Sequence, residues 1–368
     1  MMTTTLGQFW FNLFLLNLCI FISFRHAKKN RFSKTAWLLM LIFCLFAFWD
    51  IDYFGLYDAF QGMTNNNYEF RDLLYPWLTK ISFGSYTLFR FYIWGAAEYL
   101  LYKTTRLLGL NPNLTIYVMI MNFLLLFSYA RASLGMILYF YGITYYVVSP
   151  NKRKFWVMLI CFLLSFFSHR TMLILVAMTP LFFVKLKKTR LFVIALFFLL
   201  VMIPLSRYIV LNMAEVEVDE TESLLSSFNQ SVQSYSRLGV SYTFEDNWKY
   251  SLIKSLRNLS IYLGIAFSLI IILCGNKMRY ISPYMKQLLM LTIGIALTGA
   301  AFLVQGTFGS EIIGYRILYM AGIPVVLLLS YLAQNHYCSW RTLHFAFLPS
   351  LLFQEGFIIG KIISLGIY

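Results

Sequence analysis

Apolar runs of membrane-helix length recur from residue 6 to residue 354, and mostly short polar segments separate them. Inside hydrocarbon each backbone N–H and C=O must find a partner within the chain, which restricts spanning structures to helices and closed barrels. The runs here are continuous rather than alternating, so they read as helices. A crossing needs about 20 apolar residues. Twelve spans are expected, at roughly 6–24, 35–49, 84–102, 114–129, 132–149, 155–168, 171–184, 191–206, 252–273, 285–304, 315–333 and 342–354. Several are short for a full crossing, which implies tilt, kinks or merged neighbours. With 60% hydrophobic and only 12% charged residues, the chain cannot cover a water-soluble body, where charged residues usually make up about 25%. The expected fold class is all-α: a polytopic membrane protein of one domain, residues 1–368, without repeats, heptads or linkers.

The net charge of +15 would suggest nucleic acid in a soluble chain. Here the positive-inside rule explains it, and no nucleic-acid partner is expected. With the N-terminus outside, the cytoplasmic segments 25–34, 103–113, 150–154, 185–190, 274–284 and 334–341, with Lys286, hold 18 of the 30 Lys and Arg residues and no acid. Of the 15 acids, 14 fall on the other side and Glu98 falls within the third span. Shifting the parity by one helix would expose the runs KKNR, NKRK and KLKK outside. The first run, Leu6 to Phe24, has no basic residue before it and five soon after. That is the reverse of a secretory leader, so the first helix is expected to be retained. Two outer loops are sizeable, about 50–83 and 207–251, and the stretch FRDLLYPWLTK is amphipathic enough to lie on the outer interface.

Cys19, Cys44, Cys161, Cys274 and Cys338 show no C-x-x-C spacing, and none lies in an expected outer loop. They read as small core residues or inert thiols rather than as disulfides or a zinc site.

The informative residues are basic ones on the acidic side: Arg71, Arg131, Arg170, Arg207, Arg237, Arg257 and Arg316. Charge near apolar surface is costly and usually has a partner or a purpose. Gathered arginines suit a diphosphate, which accepts bidentate contacts; snorkelling to headgroups or pairing with local acids is the plainer reading. Arg131 opens the fifth span, and Ala132, Ser133 and Gly135 behind it allow close helix packing. His169 lies in the turn between spans six and seven. His26, His336 and His344 map to the cytoplasmic side, so His169 alone can move a proton at the outer face. Arg170 beside it favours the neutral ring, and a structural role in the turn remains the bland alternative. Asp50 and Asp52, in WDIDYFGLYD, form a D-x-D pair. Without a nearby third ligand they read better as solvated helix-end acids, arginine partners or acceptors of a sugar hydroxyl than as a metal site. Arg90 and Glu98 share a helical face eight residues apart, as an ion pair or each with another helix. Tyr235, Tyr242, Phe244, Trp248 and Tyr250 could stack on sugars or form an interface belt.

These blocks together resemble the bacterial O-antigen and exopolysaccharide polymerases of the Wzy and EpsG type. The resemblance is carried by WDIDYFGLYD, FRDLLYPWL, SYARASLGMILYFYG followed by NKRK, FLLSFFSHRTMLI and GYRILYM. It covers about residues 45–185 well and the rest loosely. The chain departs from the family habit in having Ala132 after Arg131 and Arg170 after His169. The resemblance implies a multi-pass protein of the bacterial inner membrane, folded like a C-type membrane glycosyltransferase with one long outer loop. It implies transfer of a glycan from undecaprenyl diphosphate to a new lipid-linked repeat unit at the outer face. Lipid-linked glycans, membrane lipid and a chain-length regulator would be its partners. Arg131, Arg170, Arg237 and Arg316, with Arg71 and Tyr235, would bind the diphosphate and sugars. His169 would be the base or positioning group, and Asp50 and Asp52 would act on the acceptor or on loop structure. No cofactor or metal is expected.

Three rivals share parts of this pattern. A lipid-linked oligosaccharide flippase would bind the same lipid but usually shows repeated halves and charges through the membrane. An O-antigen ligase would use the same donor chemistry. A membrane acyltransferase would need an acyl donor reached from the cytoplasm, where the loops are short and basic.

Overall fold

The structure is a computed structural model, and it describes residues 6–29, 32–47, 51–65, 72–123, 130–186, 193–208 apart from 195, 261–271, 280–305, 308–344 and short pieces between 347 and 359. All regular structure among the described residues is helical. The chain forms α1 (Leu6–Lys28), α2 (Lys34–Leu45), α3 (Ile51–Thr64), α4 (Leu74–Ile81), α5 (Tyr86–Leu107), α6 (Pro112–Phe123), α7 (Ala130–Val148), α8 (Lys154–Ser168) and α9 (Met172–Phe182). A helical stretch with a π turn at Phe198–Met202 follows. Then come α10 (Ile261–Ile271), α11 (Pro283–Leu303), α12 (Phe308–Tyr319) and α13 (Gly322–Gln334).

Among the described residues three helices are long and apolar enough to cross a bilayer: Leu6–Lys28, Pro283–Leu303 and Ile313–Gln334, the last running through α12 into α13. Others are apolar but shorter. The 12 residues of α2 rise about 18 Å against a hydrocarbon core of about 30 Å. The segment 50–83, expected as an outer loop, contains α3 and α4. In α4 and at its N-cap, Tyr75 and Thr79 are buried, while Leu73, Trp77 and Ile81 are exposed one turn apart. That is the amphipathic pattern read from the sequence. The described part of the loop 207–251 ends at Tyr208.

Local signals account for the helix starts. Ser85 accepts from the Leu88 N–H and Ser282 from the Met285 N–H, each as an N-cap. Asn111 accepts from Asn113 and Leu114, with Pro112 at the first helical position. Gln334 at the end of α13 accepts from Asn111 N at 2.7 Å and donates to Gly109 O at 2.8 Å. This bond pair ties α13 to the α5–α6 turn. The basic ends of α1 and α5, the start of α8 and the start of α11 alternate with the chain direction toward that same end of the bundle.

Small residues set the tightest packing. Among the described helices α7 packs along α8 and α5, and α11 packs against α12, α9 and α13. A Cβ at Gly314 would stand 2.8 Å from Gly299 O and 2.8 Å from Leu303 Cγ, so α11 and α12 touch backbone to backbone. Cys19, Cys44 and Cys161 are buried free thiols, Cys338 is a partly exposed one, and Cys274 lies outside the described residues.

Arg90 is almost wholly buried. Its Nε donates to Leu45 O at 3.1 Å and its Nη2 to Cys44 O, which are carbonyls that the end of α2 leaves without helical partners. The guanidinium also lies over the Tyr53 ring, 4.6 Å from its centroid. No ion pair joins it to Glu98. Of the two readings for these charges, Arg90 meeting another helix is the one found. Glu98 keeps Oε1 buried without a hydrogen-bond partner.

Gly314→Val should lower the thermal midpoint of the detergent-solubilised protein by several degrees, about 1–3 kcal/mol of overpacking. Gly7→Val, where nothing lies within 4 Å of the new Cβ, should leave it unchanged. Differential scanning fluorimetry on the pair tests the α11–α12 contact.

Candidate functional site

The site lies at the end of the bundle opposite the basic turns. Its frame is the antiparallel seam of α7 and α8. A Cβ at Gly135 would stand 3.2 Å from Ser165 O and 2.8 Å from Met172 Cγ, and one at Gly142 would stand 2.8 Å from Cys161 Cβ. Ser165 Oγ donates to Gly135 O at 2.7 Å, and Ser168 Oγ donates to Arg131 O at 3.0 Å. These bonds fix the first turn of α7 beside the last turn of α8. Arg131 and His169 therefore share one corner.

Asp72, just before α4, completes that corner. Its Oδ2 accepts from Arg131 Nη1 at 3.0 Å, the single ion pair among the described residues. The backbone N–H of Arg170 also donates to the Asp72 carboxylate. One turn on, fully buried Tyr75 holds its hydroxyl 3.0 Å from Ser168 Oγ. Burial raises the Asp72 carboxyl above its ordinary range. The Arg131 charge, the Arg170 backbone and the Arg170 charge pull it back only in part. Asp72 is buried, whereas the Arg131 side chain stays 40% exposed, so that guanidinium can serve both the carboxylate and a ligand.

His169 ends α8 in extended conformation. Its Nδ1 lies 2.7 Å from Thr171 Oγ1 and accepts from the Thr171 backbone N–H at 3.3 Å. A backbone N–H can only donate, so Nδ1 is the acceptor and the neutral ring carries its proton on Nε2. Burial, then the Arg131 charge, then the Arg316 charge lower its pKa to about 3. The expected effect of Arg170 on this ring is thus exerted by burial and by two other arginines. At neutral pH the imidazole is an uncharged N–H donor, which fits a positioning group better than a base.

The sequence candidates divide as follows. Arg131, His169, Arg170 and Arg316 come together. Arg316 is exposed on α12 two residues beyond the Gly314 contact, and its charge reaches His169. Asp52 belongs to α3, but its side chain lies outside the described residues, as do Asp50, Arg71, Tyr235 and Arg237. Asp72, Tyr75, Ser168 and Thr171 escaped sequence reasoning. The available signal was the three-residue spacing of Asp72 and Tyr75, which puts both on one face of a helical start. The other described histidines serve elsewhere: His344 bonds Tyr117 and packs on Phe24. Among the described residues no group of three His, Cys, Asp or Glu side chains could hold a metal.

A family model described as EpsG family matches residues 35–360. No curated protein matches the chain, and no solved structure does.

The His169 shift has a stability consequence with a definite sign. A folded-state pKa below the unfolded value of about 6.5 means that the fold favours the neutral ring. That contribution is complete above about pH 6.5 and is lost as pH falls toward about 3. The thermal midpoint should therefore drop more steeply from pH 6.5 to pH 4 in the wild type than in His169→Gln, as followed by scanning fluorimetry across pH.

Proposed function

Since the chain belongs to the EpsG family, we propose that it is a polysaccharide polymerase which joins polyprenyl-diphosphate-linked repeat units at the outer face of the bacterial inner membrane. The donor is a growing glycan on undecaprenyl diphosphate, and the acceptor is the non-reducing end of a new lipid-linked unit. In this reading the protein crosses the membrane about twelve times, has its N-terminus outside and folds like a C-type membrane glycosyltransferase. Membrane lipid and a chain-length regulator are its other partners.

The observation that carries the reading is the corner itself. Arg131 and Arg316 act on one half-buried histidine, Arg170 stands beside it, and the Asp72 carboxylate lies against Arg131 and the Arg170 backbone. A sugar-linked lipid diphosphate carries two negative charges. As the anomeric bond breaks, the departing diphosphate gains a third, and arginines fixed in advance stabilise it without a metal. His169 presents Nε2–H to the diphosphate or to a sugar oxygen. Arg71, Arg237, Tyr235, Asp50 and Asp52 would complete the sugar and diphosphate contacts.

A flippase or transporter, a ligase or an acyltransferase is the competing assignment. Among the described residues, apart from Arg90 and Glu98, the arginines outside the basic turns gather at this end rather than along a path through the bundle, which favours bond formation over transport.

Deleting the gene should leave surface glycan as single repeat units on its lipid anchor, seen as loss of the ladder on a gel. Loss of all exposed units would indicate a flippase instead. Arg316→Ala, Arg131→Ala and His169→Ala, expressed at normal level, should each reproduce the short product, with turnover down about 10²–10³-fold per lost donor. His169→Gln, which keeps an amide near Nε2, should retain more ladder than His169→Asn, which places it near Nδ1. Full ladders from all these variants would refute the site.

A further inference from the structure

We propose that Asp72 is a positioning residue for the diphosphate site, aiming the Arg131 guanidinium by holding it against the turn that carries His169. The inference rests on the polymerase reading above and deepens it.

Asp72 is buried at 7% exposure and reaches two elements at once. It takes one N–H from the Arg131 side chain on α7 and one from the Arg170 backbone between α8 and α9. Guanidinium has five N–H donors in a rigid plane. Fixing one edge on Asp72 fixes where the remaining donors point. The second contact locks that plane relative to the turn from which His169 Nε2 projects. The start of α4 cannot slide away, because Tyr75 hydrogen-bonds Ser168, and Ser168 donates to Arg131 O. Asp72 therefore ties the direction of Arg131 to the position of His169.

This role differs from simple charge balance. An anion beside the diphosphate weakens ground-state binding, so a site built only for affinity would omit it. Aiming a donor at the charge that develops on the departing phosphate raises turnover rather than affinity.

The test uses full-length protein in detergent, with undecaprenyl diphosphate as the binding probe and lipid-linked repeat units from the deletion strain as substrate. Asp72→Asn keeps the shape and removes the charge. Its kcat should fall at least tenfold while KM for the lipid donor stays level or drops, with the thermal midpoint within a few degrees of wild type. Wild-type kcat in Asp72→Asn overturns the inference. If that variant does not fold, Asp72→Glu carries the test: it should lose kcat at unchanged KM, and wild-type kcat there overturns the inference equally. The exchange Asp72→Arg with Arg131→Asp separates aiming from bracing. It should recover the thermal stability lost in Arg131→Asp alone but not turnover; recovery of both means that the pair only braces the fold. A wild-type protein that neither binds undecaprenyl diphosphate nor extends the glycan overturns the polymerase reading, and this assignment with it. Binding and turnover by the wild type with an indifferent Asp72→Asn overturn this assignment alone.

Discussion

The close seam between α7 and α8 determines where a charged site can exist in this chain. Lipid supplies no hydrophobic drive between helices, so association depends on small residues and on hydroxyl-to-carbonyl bonds. Gly135 and Gly142 let the two backbones approach, and Ser165 and Ser168 each spend a hydroxyl on an α7 carbonyl. Because the helices are antiparallel, the register that joins Ser168 to Arg131 also places His169 at the same corner. The α11–α12 contact at Gly299 and Gly314 acts likewise one layer away, and Arg316 follows it by two residues. Close approach at glycines thus becomes convergence of side chains that are distant in sequence.

The ends of the bundle were legible because apolar runs meet basic turns abruptly there. The expected spans 132–149, 155–168 and 285–304 correspond to Ala130–Val148, Lys154–Ser168 and Pro283–Leu303. The region 50–83 was less so. Asp52, Asp58, Gln61 and Asn65 make α3 look like a loop to a reading tuned to hydrocarbon, although nothing in that composition opposes a helix. The break between α12 and α13 was also hidden, since Ile313–Gln334 reads as one apolar run. At the site, Arg131 stood out as a basic residue on the side expected to be acidic, and His169 as the one histidine expected there. Asp72 did not, because an acid there obeys the rule. Its importance comes from docking α4 against α7 and α8, a contact across 59 positions of sequence.

Arg90 and Glu98 show how an intramembrane charge can be resolved without its apparent partner. Eight residues along a helix separate two side chains by about 12 Å of rise, too far for a direct pair. Arg90 instead turns to the end of α2, where carbonyls lack helical donors and the helix dipole favours a cation. Tyr86, one turn earlier, donates to Tyr53 O at 2.6 Å and lies within reach of the same guanidinium. The connection from α2 into α3 is held in this way, and α3 in turn packs on α4. Arg90 therefore supports Asp72 at two removes while lying outside the cluster itself.

The tautomer of His169 constrains the chemistry of the proposed transfer. With Nδ1 occupied by Thr171 and the ring held neutral by burial and two arginines, the imidazole has no lone pair to offer the acceptor hydroxyl. Asp72 is engaged by Arg131 and the Arg170 backbone, which leaves it poorly placed to take that proton. The acceptor hydroxyl, however, becomes strongly acidic only as its oxygen bonds to the anomeric carbon. By then the leaving diphosphate has gained its extra charge and is itself a competent base. A site that stabilises departure first and lets the proton follow needs guanidinium groups held in place more than it needs a basic side chain. In the proposed transfer, Arg131, Arg170 and Arg316 beside an uncharged His169 would supply that order of events.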